Sequence, residues 1–354
     1  APLEGPDTTR PIRSGDVRAT ACWFVSGLVT FKSENKTRRL VSATHNSRPS
    51  MSRVRSWILV VGVLVGAVGG CAEPQDGRGP ATADSIAATA PGTDVVGAPL
   101  DASGDTLRMG RPTPVTTRPG YDNQPAFLPD GSGLEWTAIH DGQADVYRKI
   151  EDEGGPAPVT DTPESEFSPT PRPGGALTLV RVEADGRQRL WRYRADGTPD
   201  APVLPDADSV GYHAWLDSSR VALFVLGAPP TLHVANVKSG TDTVVARIGR
   251  SLQSVPGRAD VSFVQVGPDS SVAIHRLDGA SLTTRRLTEA PTNAPTGDHA
   301  WTPGGHLLMT TEDSLVAWRR GRADWRPVAA LDTMDVSRLA VSPSGDRLAM
   351  VVAE

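Results

Sequence analysis

The 354-residue sequence predicts an all-β fold, a six-bladed β-propeller whose last blade is split between the two chain ends. Three observations carry that expectation. First, Gln124–Trp136 reads as a short apolar strand, a Pro-Asp-Gly turn and a second strand. Second, weaker copies of this unit follow. Markers at the third strand residue fall on Phe127, Pro171, Trp215, Val255, Trp301 and Val341, at spacings of 44, 44, 40, 46 and 40 residues. A fixed period of this size, with strands and turn residues in each unit, is the signature of a propeller. Third, Pro112–Pro119 matches Pro156–Pro163 at an offset of 44, and Asp105–Met109 resembles Asp145–Lys149. The N-terminal part therefore supplies the outer two strands of the blade whose inner two, Arg338–Ser342 and Arg347–Val352, lie at the C-terminal end. Closure of this kind removes a free sheet edge.

In chain order, residues 1–50 contain no Met and no sustained period, and they read as an upstream mistranslated segment or a disordered one. Met51-Ser52-Arg53-Val54-Arg55 then opens a positive segment, followed by an uncharged run from Ser56 to Gly70. That run is shorter than the roughly 20 apolar residues a transmembrane helix requires. Positive, apolar and small-residue segments in this order make residues 51–70 a secretory signal peptide. Val68-Gly69-Gly70-Cys71 resembles a bacterial lipobox, which implies lipidation of Cys71 and anchoring in the envelope, at the outer membrane if the organism has one. The remaining alternative is an ordinary cleaved signal with an incidental Cys. Residues 71–103 are mostly Pro, Gly, Ala, Asp and Thr, without aromatics, and read as a disordered tether. The propeller is expected over residues 104–354.

The whole chain carries 36 basic and 41 acidic residues, a net charge of −5. Setting aside the ten Lys or Arg and four Asp or Glu of residues 1–70 leaves −11 from Cys71 onward. This argues against nucleic acid as a partner, because phosphate binding needs a basic face. Once Cys22 is set aside with residues 1–50, Cys71 stands alone, so the exported domain must be held by its core.

Blade one is expected over Asn123–Leu128, Gly133–His140, Ala144–Ile150 and Ala157–Thr160, with Asp141-Gly142 as a hairpin turn. Blade two continues through Ala176–Glu183 and Arg187–Arg194, around Ala184-Asp185-Gly186. Blades three, four and five follow over Gly211–Ile248, Leu252–Leu287 and His299–Leu331. The strand, Pro-Asp-Gly turn and strand, six times over, resembles the TolB-like propeller family across residues 104–354. The likeness is strong at Gln124–Trp136, good at Leu339–Met350 and weak in blade four, and the α/β domain that precedes the propeller in TolB has no counterpart here. This resemblance implies a fold more than a function.

No Gly-x-Ser-x-Gly elbow and no His-Glu-x-x-His pair occurs. Asp130-Gly131-Ser132-Gly133 reads as a repeat turn. The innermost strands of a propeller line its channel, so the residues opening them form the candidate binding mouth: Gln124, Tyr212, His213, Gln253, Asp298, His299 and Arg338. His213 and His299 share a His-Ala-Trp tripeptide in blades three and five. Imidazole and carboxylate could bind a metal, but these blades are not neighbours and no third ligand is evident, so no metal and no cofactor is expected. A second reading has each His capping its strand. The tryptophans Trp136, Trp191, Trp215, Trp301 and Trp318 are expected to pack blade against blade, with Trp325 more exposed. The expected function is a monomeric, lipid-anchored, non-catalytic module that binds an envelope protein or peptide. The alternative is a hydrolase or lyase using the histidines, and a passive lectin-like or peptidoglycan-associated protein is a third.

Overall fold

The computed structural model describes residues 90–103, 106–267, 270–294 and 297–354. The expected leader, Cys71 and the tether up to residue 89 lie outside these residues. The described chain is nearly all β and forms six antiparallel sheets, each one blade. Strands β1 (Thr93–Ser103), β2 (Thr106–Met109) and β3 (Thr113–Pro114) come first. Blade one follows as β4 (Asp122–Phe127), β5 (Gly133–His140), β6 (Gln143–Ile150) and β7 (Ala157–Pro158). Blade two is β8 (Ser165–Pro171), β9 (Leu177–Val182), β10 (Gln188–Tyr193) and β11 (Pro199–Pro202). Blade three is β12 (Val210–Trp215), β13 (Arg220–Val225), β14 (Thr231–Asn236) and β15 (Thr241–Arg247). Blade four is β16 (Leu252–Ser254), β17 (Val261–Val266), β18 (Val272–Leu277) and β19 (Thr284–Glu289). Blade five is β20 (His299–Trp301), β21 (His306–Thr310), β22 (Ser314–Arg319) and β23 (Arg326–Ala330). The closing blade uses β24 (Val336–Val341) and β25 (Arg347–Ala353).

The closing blade is split as expected, but its third strand differs. β1 pairs antiparallel with β25 over seven residues, from Thr93↔Ala353 to Pro99↔Arg347. The strand therefore lies within the segment expected to be tether, and the propeller begins some ten residues earlier than its composition suggests. The true counterpart of Asp145-Val146 is Asp94-Val95. The Thr116 hydroxyl accepts the Val95 N–H at 2.9 Å and donates to the Asp94 carboxylate at 2.8 Å. In blade one the Thr160 hydroxyl accepts the Val146 N–H at 2.9 Å and donates to Asp145 at 3.4 Å. Thr106–Met109 falls instead at the outer edge, where β2 and β3 pair with successive parts of β1. Pro99 sits at the break between those two pairings, where a missing N–H costs no ladder bond.

Six apolar clusters occupy the six blade interfaces. Val95, Ala349, Leu134 and Trp136 join the closing blade to blade one, and Leu308, Leu315, Leu339 and Met350 join blade five to the closing blade. Trp136 is 1 % exposed. Trp325 is half-buried, and its indole donates to the Glu289 carbonyl of blade four at 3.0 Å. The Pro-Asp-Gly units are turns: the Asp130 carboxylate accepts the Ser132 N–H at 2.9 Å and its hydroxyl at 2.7 Å. Gly131 follows at φ 77°, a conformation that disfavours any side chain.

Candidate functional site

The starts of the inner strands converge on the channel, as the repeat requires, and most of their polar side chains are engaged between blades. Gln124 adopts φ 60° just before Pro125. Its carboxamide oxygen accepts the Thr137 hydroxyl at 2.9 Å and, across the interface, the Ser168 N–H of blade two at 2.7 Å. Ser168, at φ 54°, passes the link on, its hydroxyl donating to the Gly211 carbonyl of blade three at 3.4 Å. The Tyr212 hydroxyl accepts the Ser251 N–H ahead of blade four at 3.2 Å, while its ring stacks on Phe224 at 4.3 Å. The Ser251 hydroxyl, on a residue at φ 68°, accepts the His299 N–H of blade five at 3.4 Å. The Asp298 carboxylate then accepts the Leu339 N–H of the closing blade at 3.1 Å. The seam from the closing blade to blade one is made further out, where the Thr93 hydroxyl donates to the Asp122 carbonyl at 3.0 Å. Left-handed backbone at Gln124, Ser168 and Ser251 costs on the order of 1 kcal/mol each. Each aims a side chain or its backbone into the next blade.

The two His-Ala-Trp tripeptides build one device twice. In blade three, His213 Nε2 lies 2.9 Å from the Thr178 hydroxyl of blade two, and that hydroxyl accepts the Trp215 indole N–H at 3.1 Å. In blade five, His299 Nε2 lies 2.7 Å from the Ser262 hydroxyl of blade four, which accepts the Trp301 indole N–H at 2.8 Å. The Arg172 guanidinium lies over the Trp215 ring at 4.2 Å. Both imidazoles are buried, at 7 % and 0 % exposure. Burial, with Arg172 nearby, pushes His213 down to about 3. Burial pushes His299 down to about 4, against the pull of Asp298. Both rings are therefore neutral near pH 7 and clamp second strand to inner strand across an interface. Among the described residues no group of three or more His, Cys, Asp or Glu is placed to hold a metal ion.

Gln253 and Arg338 differ from the rest. Both are half-buried, and among the described residues neither side chain makes a hydrogen bond or ion pair. Arg338 does stand in a charged group that the sequence showed only in part. Arg338 of the closing blade acts electrostatically on Tyr121 beside blade one, on Tyr212 of blade three and on Arg250 ahead of blade four. Blade three is opposite the closing blade in a ring of six, so Arg338 and Tyr212 come from opposite sides of the channel. Burial pushes Tyr121 up and Tyr212 up to about 12, the two arginines opposing. Burial, then repulsion from Arg338, pushes Arg250 down. Both phenols therefore keep their protons. Arg250 and Tyr121 escaped sequence reasoning because they precede the inner strands; the signal would have been charge or aromaticity just ahead of each strand, as at Asp298.

Six four- to five-stranded blades around a polar channel define a TolB-like propeller fold. No protein-family model matches the sequence, and no curated protein matches it. Among solved structures, a putative TolB from Agrobacterium tumefaciens is similar, with a TM-score of 0.57 and 14 % identity, covering 74 % of this chain and 99 % of that one. A gluconolactonase from Xanthomonas campestris gives 0.53 and 12 % identity, with 73 % and 95 % covered. An oligogalacturonate lyase in complex with manganese gives 0.50 and 14 % identity, with 70 % and 81 % covered. Identities this low show a shared fold only.

Proposed function

We propose that this propeller is a non-catalytic binding module that receives a peptide or protein loop at the mouth of its channel. In this reading it works on the periplasmic side of a bacterial envelope, held there through lipidated Cys71. The observation that carries the binding reading is the division of labour among the mouth residues. His213 and His299, the groups a hydrolase or lyase would need as acid, base or metal ligand, are buried neutral clamps between blades. Arg338 and Gln253 remain partly exposed, with side chains open to an incoming partner. Rigid strands around them keep the cost of ordering a bound segment on the partner's side.

The test is affinity capture from envelope extract by the full chain beside a Gln253→Ala/Arg338→Gln variant. A protein held by the parent and lost by the equally stable variant supports the reading. Capture by neither overturns it and returns the choice to an enzyme on the same fold.

A further inference from the structure

We infer that Thr231 is an activated hydroxyl, a site of covalent acylation served by His233 and Asp242, whose donor is an activated carboxylic ester. This goes beyond the binding function proposed above and is independent of it. The three residues lie on β14 and β15, the outer strands of blade three, away from the channel.

The three side chains form one hydrogen-bonded line. His233 Nδ1 lies 3.1 Å and 2.9 Å from the two carboxylate oxygens of Asp242, and Nε2 lies 2.9 Å from the Thr231 hydroxyl. A carboxylate only accepts, so Nδ1 carries the proton. In the neutral ring Nε2 then offers a lone pair, and the Thr231 O–H donates to it. A hydroxyl bonded to a base that a third group orients is the arrangement of an activated nucleophile.

Strand geometry brings these groups together. Thr231 and His233 are two residues apart on β14 and share a face. On β15, Arg247 stands opposite Thr231, Val244 opposite His233 and Asp242 opposite Ala235. Directly opposite residues of an antiparallel pair share a face, with Cβ atoms about 4.5–5.5 Å apart, so these residues form one patch. The patch is open to a reagent. The His233 side chain is 15 % exposed and that of Asp242 38 %, while Thr231 is half-buried and Arg247 exposed. The hydroxyls facing His213 and His299 differ, because each also accepts a Trp indole N–H and faces a buried ring.

The Thr231 oxygen attacks the ester carbonyl carbon as its proton passes to His233 Nε2, giving an imidazolium that Asp242 stabilises. Arg247 supplies positive charge beside the oxyanion that forms. Collapse breaks the bond to the alcohol, which leaves with the proton from Nε2. Ester and threonine thus become acyl-threonine and free alcohol. The product is an aliphatic ester, far less electrophilic than an aryl ester, so the acyl group stays on Thr231. Val244, 62 % exposed, offers an apolar surface to a short acyl chain.

The probe is p-nitrophenyl acetate, mixed in excess with the full-length protein after Cys22 and Cys71 have been blocked with iodoacetamide. Absorbance follows the released p-nitrophenolate, and peptide mass spectrometry locates the acetyl group. We expect a burst of about one p-nitrophenolate per chain and acetyl on Thr231. Thr231→Val and His233→Gln should slow the burst at least about 100-fold. Asp242→Asn should slow it as well, and Thr231→Ser should retain it. A burst of the same rate in Thr231→Val overturns the site. So does acetyl found on lysine or imidazole in place of Thr231, and so does the absence of any burst. Should a variant fail to fold, the position of the acetyl group in the unsubstituted protein decides the case.

Discussion

At the residue scale, the most informative side chains are those whose protonation the fold has settled. His213 and His299 are held neutral, with folded values of about 3 and about 4 against an ordinary 6.5. The unfolded chain takes up protons below about pH 6.5 and the folded one does not, so their stabilising contribution is complete above that pH. It is lost progressively as pH falls toward 4, by up to about 1.4 kcal/mol per histidine for each pH unit. Thermal unfolding followed from pH 7 to 4.5 should show Tm falling, and His299→Gln should flatten that slope. Glu166 runs in the opposite sense. It is fully buried, and its carboxylate accepts the Tyr193 hydroxyl at 2.8 Å. Burial, with Asp145 adding to it, pushes it up to about 8 from 4.5. The folded state keeps a proton that the unfolded state releases, so stability falls as pH rises from about 4.5 to 8. Glu166→Gln copies the protonated form and should raise Tm more at pH 8 than at pH 5. An equal gain at both would show that Glu166 is ionised in the fold.

At the scale of the element, the closing blade shows what a strand needs. Thr93–Ser103 contains Gly97 and Pro99 and has the composition of a linker, yet it forms the third strand because β25 offers a complete edge and Val95, Ala98 and Leu100 find buried places. Propensity is a weak guide when cross-strand packing decides. The Thr116 and Thr160 hydroxyls fasten β3 and β7 to their blades, so Thr116→Val should leave the Val95 N–H unsatisfied. A loss of about 1–3 kcal/mol in denaturant unfolding is expected, with a similar loss for Thr160→Val. Equality between the two would establish that both closures use the same device. A chain beginning after Ser103 would expose the long edge of β25. It should unfold at markedly lower temperature and aggregate, as measured by calorimetry and light scattering.

At the scale of the whole molecule, six blades are joined by six apolar interfaces and by a series of polar stitches around the channel. These stitches tie each inner strand to its neighbour, so the wall of the channel is fixed by interactions between blades rather than within them. Placement in the envelope is a prediction of the leader: Cys71→Ser should move the protein from the membrane fraction to the soluble fraction and abolish labelling by a fatty-acid analogue. Unchanged partitioning would remove the lipid anchor from the proposal.

Much of this architecture was legible in the sequence because a repeat writes its own period. The spacing near 44, the turn at Asp130-Gly131, the six blades and a closing blade shared by both ends follow from local patterns that each blade restates. The leader and lipobox are likewise expectations of local sequence. The identity of the closing blade's third strand depended on a partner more than two hundred residues away. The use of His213 and His299 as clamps depended on hydroxyls in the preceding blades. The influence of Arg338 on Tyr121, Tyr212 and Arg250, which lie in or beside other blades, depended on the ring itself. A one-dimensional period determines what each blade is, but side chains from opposite blades share an electrostatic environment only once the ring closes, and only the tertiary structure decided that.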